Sequence, residues 1–100
     1  MAVVFQVDFP KEGPFGEESF NQMKKVAEGI SAQPGLIWKI WTENPETKEA
    51  GGVYLFEDMA AAQAYFTIYE PELRGAGFDI RPRFFEINER LTEITRGPRE

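Results

Sequence analysis

Apolar and polar positions alternate from Ala2 to Phe9, with Val3, Phe5, Val7 and Phe9 on one face and Val4, Gln6 and Asp8 on the other. A period of two predicts a β-strand. The following PKEGPFG (Pro10 to Gly16) holds two prolines and two glycines, which rule out regular structure. Glu17 and Glu18 suit the first turn of a helix, where the dipole favours negative charge. Phe20, Met23, Ala27 and Ile30 then recur at helical spacing as one apolar stripe, and Gln33-Pro34-Gly35 closes the helix. Leu36 to Glu43 (LIWKIWTE) reads as a second strand and Gly52 to Glu57 (GVYLFE) as a third, joined as a hairpin by the polar turn Asn44 to Lys48. Asp58 is a good N-cap for a second helix with Ala62, Tyr65, Phe66 and Tyr69 inward, weakened at Glu70-Pro71 and ended by Gly75-Ala76-Gly77. Phe78 to Ile87 (FDIRPRFFEI) is the fourth strand, and Pro82, which has no ladder donor, places it at an edge or a bulge. The tail from Arg96 to Glu100 reads as frayed.

The order βαββαβ, with right-handed crossovers, predicts a ferredoxin-like α+β fold: a four-stranded antiparallel sheet with two helices on one face. The second strand qualifies this picture. By alternation Leu36, Trp38 and Ile40 share one face, and Ile37 and Trp41 the other. A bare sheet face in water should be polar, so a second copy of the chain is expected to cover the side bearing Ile37 and Trp41, which become candidate dimer-interface residues. Leu36, Trp38 and Ile40 are then expected to meet Phe20, Met23, Ala62 and Tyr65 of the helices, with Lys39 and Glu43 beside Trp41 at the dimer face.

One hundred residues form one expected domain, with 42% apolar residues for a core and no cysteine for a disulfide or a thiol nucleophile. The net charge of −6 does not supply the basic footprint of a non-specific nucleic-acid binder. The start MAVVFQVDFP lacks a basic n-region and no apolar run is long enough to span a bilayer, so no membrane partner and a cytoplasmic location are expected. With no histidine, a Ser-His-Asp triad and a His-ligated haem are excluded. No Walker or Rossmann glycine pattern is present, and nothing marks a carboxylate metal site. No cofactor is implied and no catalytic residue stands out. Arg81 and Arg83 alternate with Ile80 and Phe84 and suit solvated ion pairs, or a cation beside a developing oxyanion. Gly51 and Gly52 suggest a bulge or a close backbone contact.

Aromatic side chains are what this sequence offers in quantity. Trp38, Tyr54, Phe56 and Tyr65 come from the central strands and the second helix; they suit either a bulky core or a flat apolar pocket that orients an aromatic ligand. GPFG (Gly13 to Gly16), PGLIWKIWTE (Pro34 to Glu43), EAGGVYLFED (Glu49 to Asp58) and the late Asn88-Glu89 together resemble the YdhR-like monooxygenase family, at collinear spacing over nearly the whole chain. The resemblance implies the dimeric α/β-barrel superfamily, in which two ferredoxin-like protomers face their sheets together. It also implies a cofactor-independent monooxygenase acting on an aromatic or quinol-like small molecule, with Trp38, Tyr54, Tyr65 and Arg83 as the hydrogen-bonding groups available here. The missing histidine leaves the substrate's proton without an obvious acceptor. A non-catalytic small-molecule binder on the same scaffold is the alternative, since one fold hosts many functions.

Overall fold

The computed structural model of the chain describes residues 1–97. Strand β1 (Val3–Pro10) leads into helix α1 (Gly16–Ser31), strands β2 (Leu36–Asn44) and β3 (Glu49–Phe56), helix α2 (Met59–Gly75), strand β4 (Arg81–Glu86) and a short helix α3 (Glu89–Ile94). The strands form one antiparallel sheet in the order β2-β3-β1-β4, the ferredoxin-like arrangement read from the sequence. Pro82 sits in an edge strand, where its missing N–H costs no ladder bond on the outer side. Strand β3 begins at Glu49, three residues before the alternation suggested, and α3 had no periodic signal in so few residues. Of the frayed tail expected from Arg96, residues 98–100 lie outside those described.

Val3, Phe5 and Val7 of β1, Tyr54 and Phe56 of β3, Ile30 of α1 and Ala62 and Tyr65 of α2 form the core, which places both helices on one face. Phe5 is its centre, with ring centroids 4.6 Å from Phe84, 5.1 Å from Tyr54 and 5.3 Å from Phe66. Helix α2 starts on Asp58, whose carboxylate accepts from the Ala61 N–H at 2.8 Å, and runs through Pro71. Helix α1 has no local side-chain cap; the Gly16 N–H at its first turn donates instead to Glu43 Oε1 of β2 at 3.0 Å. In the β2–β3 turn, Asn44 Oδ1 accepts from the Glu46 and Thr47 N–H groups, an Asx turn.

Register corrects one expectation. Leu36 pairs with Phe56 and so faces the helices, but Trp38 pairs with the next residue back, Leu55, across a bulge at Ile37. Cross-strand partners share a face, so every residue after the bulge is inverted relative to unbroken alternation. Trp38 and Ile40 lie on the helix-free face, opposite Leu55 and Val53; Lys39, Trp41 and Glu43 lie on the helix side, opposite Tyr54, Gly52 and Ala50. The expected placement of Trp38 under the helices and of Trp41 on the bare face is therefore reversed.

The helix-free face is graded. At one end Trp38, Leu55, Val4 and Phe85 run across all four strands, followed by Ile40, Val53, Gln6 and Arg83. Leu55 on this face is buried, whereas Ile40 is 53% exposed and Phe85 42%, so its apolar surface is only partly covered by the chain itself. At the other end Arg81 lies 3.6 Å from Asp8 and 3.7 Å from Glu49.

Candidate functional site

The two helices splay over the sheet and leave a cavity of about 190 Å³ beneath them. Its floor is the helix side of the sheet: Val7 and Phe9 of β1, Lys39, Trp41 and Glu43 of β2, Tyr54 of β3. Met23, Val26 and Ile30 of α1 form one wall, and Tyr65, Tyr69, Glu72 and Leu73 of α2 the other. Trp41, 41% exposed, stands at the rim, where the cavity meets a shallower groove along α1 that includes Phe20, Lys24 and Glu28. Apolar walls with a few convergent polar groups are the usual form of a small-molecule site.

Those polar groups have defined surroundings. The Lys39 Nζ stands 3.4 Å from the centroid of the Trp41 ring and 4.5 Å from that of Tyr54. Among the described residues Lys39 makes no ion pair with a carboxylate. Burial without a counter-charge penalises the ammonium and lowers Lys39 from an ordinary 10.5 to about 7. The hydroxyls of Tyr54 and Tyr65 lie 2.8 Å apart. Burial pushes Tyr54 up to about 12 and Tyr65 higher still, so both remain protonated donors near neutrality. The Tyr69 ring packs 4.5 Å from Tyr65, and its hydroxyl accepts from Gln33 Nε2 at 3.1 Å. Among the described residues no group of three His, Cys, Asp or Glu side chains could hold a metal ion.

Of the residues singled out from the sequence, Tyr54 and Tyr65 line this cavity together, and Phe56 packs behind them with ring centroids 5.9 Å from Tyr54 and 5.5 Å from Tyr65. Trp38 and Arg83 lie on the other face of the sheet, Arg83 opposite Gln6. Ile37 occupies the bulge, and Trp41 lines the cavity in place of the bare face. Tyr69, expected to point inward from the second helix, does line the cavity; sequence reasoning passed over Glu72 and placed Lys39 on the wrong face. Lys39 read as a dimer-face residue because alternation was carried through Ile37 unbroken. The useful signal was the small pair Ala50 and Gly52 opposite Glu43 and Trp41, which leaves room for long side chains there.

A ferredoxin-like sheet roofed by two helices over such a cavity has the fold of the antibiotic-biosynthesis type of monooxygenase. Residues 4–98 match the family model described as "Putative mono-oxygenase ydhR", and the chain belongs to that family. Among solved structures it is similar to a variant of SnoaB, a cofactor-independent oxygenase from Streptomyces nogalater, with 17% identity, a TM-score of 0.63, and 87% of this chain and 93% of that one covered. A structure described as "a putative antibiotic biosynthesis monooxygenase from Deinococcus radiodurans" has 10% identity and a TM-score of 0.61, covering 86% of this chain and 92% of that one. A protein of unknown function from Nitrosomonas europaea has 16% identity and a TM-score of 0.60, covering 88% and 91%. These likenesses establish the fold. No curated protein is matched in sequence. Family and fold together support a monooxygenase-like function, and among the described residues no helix is long and apolar enough to cross a membrane.

Proposed function

We propose that this protein oxidises a flat aromatic, quinol-like small molecule with dioxygen and without a bound cofactor. The observation that carries the reading is the cavity itself: aromatic and aliphatic walls, the protonated hydroxyls of Tyr54 and Tyr65, and the Lys39 amine over the Trp41 and Tyr54 rings, with Lys11, Glu43 and Glu72 also in the lining. Insertion of one oxygen atom at a CH₂ flanked by aryl rings, as in an anthrone, forms C=O and releases one water. The substrate supplies all the electrons, so no external reductant is needed. The protein's part is to exclude water, hold the ring against Trp41 and Tyr54, and donate from Tyr54 or Tyr65 to the oxygen that gains negative charge.

The reading includes a homodimer through the helix-free face. Trp38, Ile40, Val53 and Phe85 give that face an apolar end, which a second copy would cover, burying on the order of 1,500 Å². Arg83 is then an interface residue rather than a ligand contact in this cavity.

The test is oxygen uptake with anthrones and hydronaphthoquinones, against protein-only and substrate-only controls. Uptake above both, with one water formed per dioxygen consumed, supports the oxygenase. Saturable binding without uptake identifies a non-catalytic binder instead.

A further inference from the structure

We propose that the Lys39 amine accepts the acidic proton of the bound ligand, leaving the ligand as an anion paired with the lysine ammonium inside the cavity. The inference rests on the cavity being the ligand site of the function proposed above. It answers the question that a chain without histidine raises: which group takes the proton.

Geometry is the first support. The bulge at Ile37 turns Lys39 onto the helix side, and its Nζ reaches over Trp41 and Tyr54 in the cavity that would hold the ligand. The charged groups around it leave it available. Glu43 of the same strand is engaged by the Gly16 N–H at the start of α1. Glu72 of α2 and Lys11 of the β1–α1 connection line the cavity without pairing to Lys39, and α1 contributes only uncharged side chains. Tyr54, Tyr65 and Tyr69 are phenols; burial keeps the first two protonated, which makes them donors and poor acceptors of a proton. Of the basic groups that line the cavity, Lys39 is the one set over the Trp41 and Tyr54 rings, and burial holds its amine near the pH at which a base works best.

The step is a simple exchange. The ligand's O–H or activated C–H bond breaks, its electron pair stays on the ligand, and a new N–H bond forms on Lys39. The ammonium so produced faces the π-clouds of Trp41 and Tyr54, which favour a cation, while the ligand anion supplies the direct ion-pair partner that neither Glu43 nor Glu72 provides. The ligand class is therefore a flat aromatic with a hydroxyl or enolisable position, bound ionised.

The probe is 4-nitrophenol, whose phenolate absorbs in the visible, titrated in the presence of the intact protein, Lys39→Met and Lys39→Arg. The expected result is a bound-probe midpoint lowered by about one pH unit or more in the native protein. The shift should vanish in Lys39→Met; Lys39→Arg, a fixed cation, should keep the shift but release the probe's proton to the medium, whereas the native protein near pH 7 retains part of it on Lys39, and equal proton release by the two overturns the acceptor role. An equal midpoint in native protein and Lys39→Met overturns the inference, as does failure of the native protein to bind the probe at millimolar concentration. If Lys39→Met does not fold, NMR titration of the Lys39 side chain in the native protein decides. A lysine midpoint raised by the probe supports the pairing, and an unmoved one overturns it. Oxygen uptake is followed separately. An ionised probe without uptake retires the oxygenase reading alone, and uptake with an unshifted probe retires the lysine alone.

Discussion

The Cβ that Gly52 lacks would lie 2.7 Å from Cε of Lys39, so the bare position opposite Trp41 is what gives the lysine room above the aromatic rings. In Gly52→Ala the clash falls on the far end of a flexible side chain, and Tyr54 Cε1 at 3.2 Å must yield only slightly. Stability should change by no more than about 1 kcal/mol. The amine should swing outward, and its titration midpoint should move from about 7 back toward 10.5, read by NMR. Gly51→Ala is the contrast: its new Cβ would meet the backbone of Val7 and Asp8, which cannot rotate away. Urea unfolding should register a loss of about 3 kcal/mol or more there.

Trp38 and Trp41 report on different faces of the sheet. A quinone-type ligand in the cavity should quench emission strongly in Trp38→Phe, which retains Trp41, and only weakly in Trp41→Phe. The opposite pattern would move the ligand to the helix-free face.

Lys39 also makes stability depend on pH. Its midpoint is about 7 in the folded chain against 10.5 for an ordinary lysine, so between those values the unfolded chain holds the extra proton. Stability from this group therefore rises as pH climbs from 7 toward 10 and is lost as pH falls through 7. Tyr54 and Tyr65 act the other way: their raised folded midpoints mean stability falls once pH passes 10, where unfolded tyrosines begin to ionise. The stability difference between native protein and Lys39→Met, measured by urea unfolding from pH 6 to 10, should grow more favourable to the native protein with pH. A flat difference would show that the lysine is solvated.

Dimerisation through the helix-free face predicts that Ile40→Asp lowers the mass seen in sedimentation from dimer to monomer, because a carboxylate there would be buried without a partner. Trp41→Phe, on the other side of the sheet, should leave the dimer intact. A dimer that survives Ile40→Asp would place the interface elsewhere.

Much of this protein is determined by local sequence. The alternation of Val3, Phe5 and Val7, the Asp58 cap, the Asn44 turn and the edge placement of Pro82 each follow from forces that act within a few residues, and the order of elements then selects the ferredoxin-like sheet. The match of blocks such as PGLIWKIWTE points to the family in the same way. Tertiary structure alone decided the site. Alternation carries no record of an extra residue, and the bulge at Ile37 arises because Leu36 must stay against Phe56 in the core while Trp38 pairs with Leu55 on the far side. That single slip inverts the side chains that follow it, moves Trp38 out and brings Trp41 and Lys39 in. Likewise Glu43 reaches α1 only once strand and helix are packed, and Lys39 acquires an unusual proton affinity because folding removes water from it without pairing it to a carboxylate.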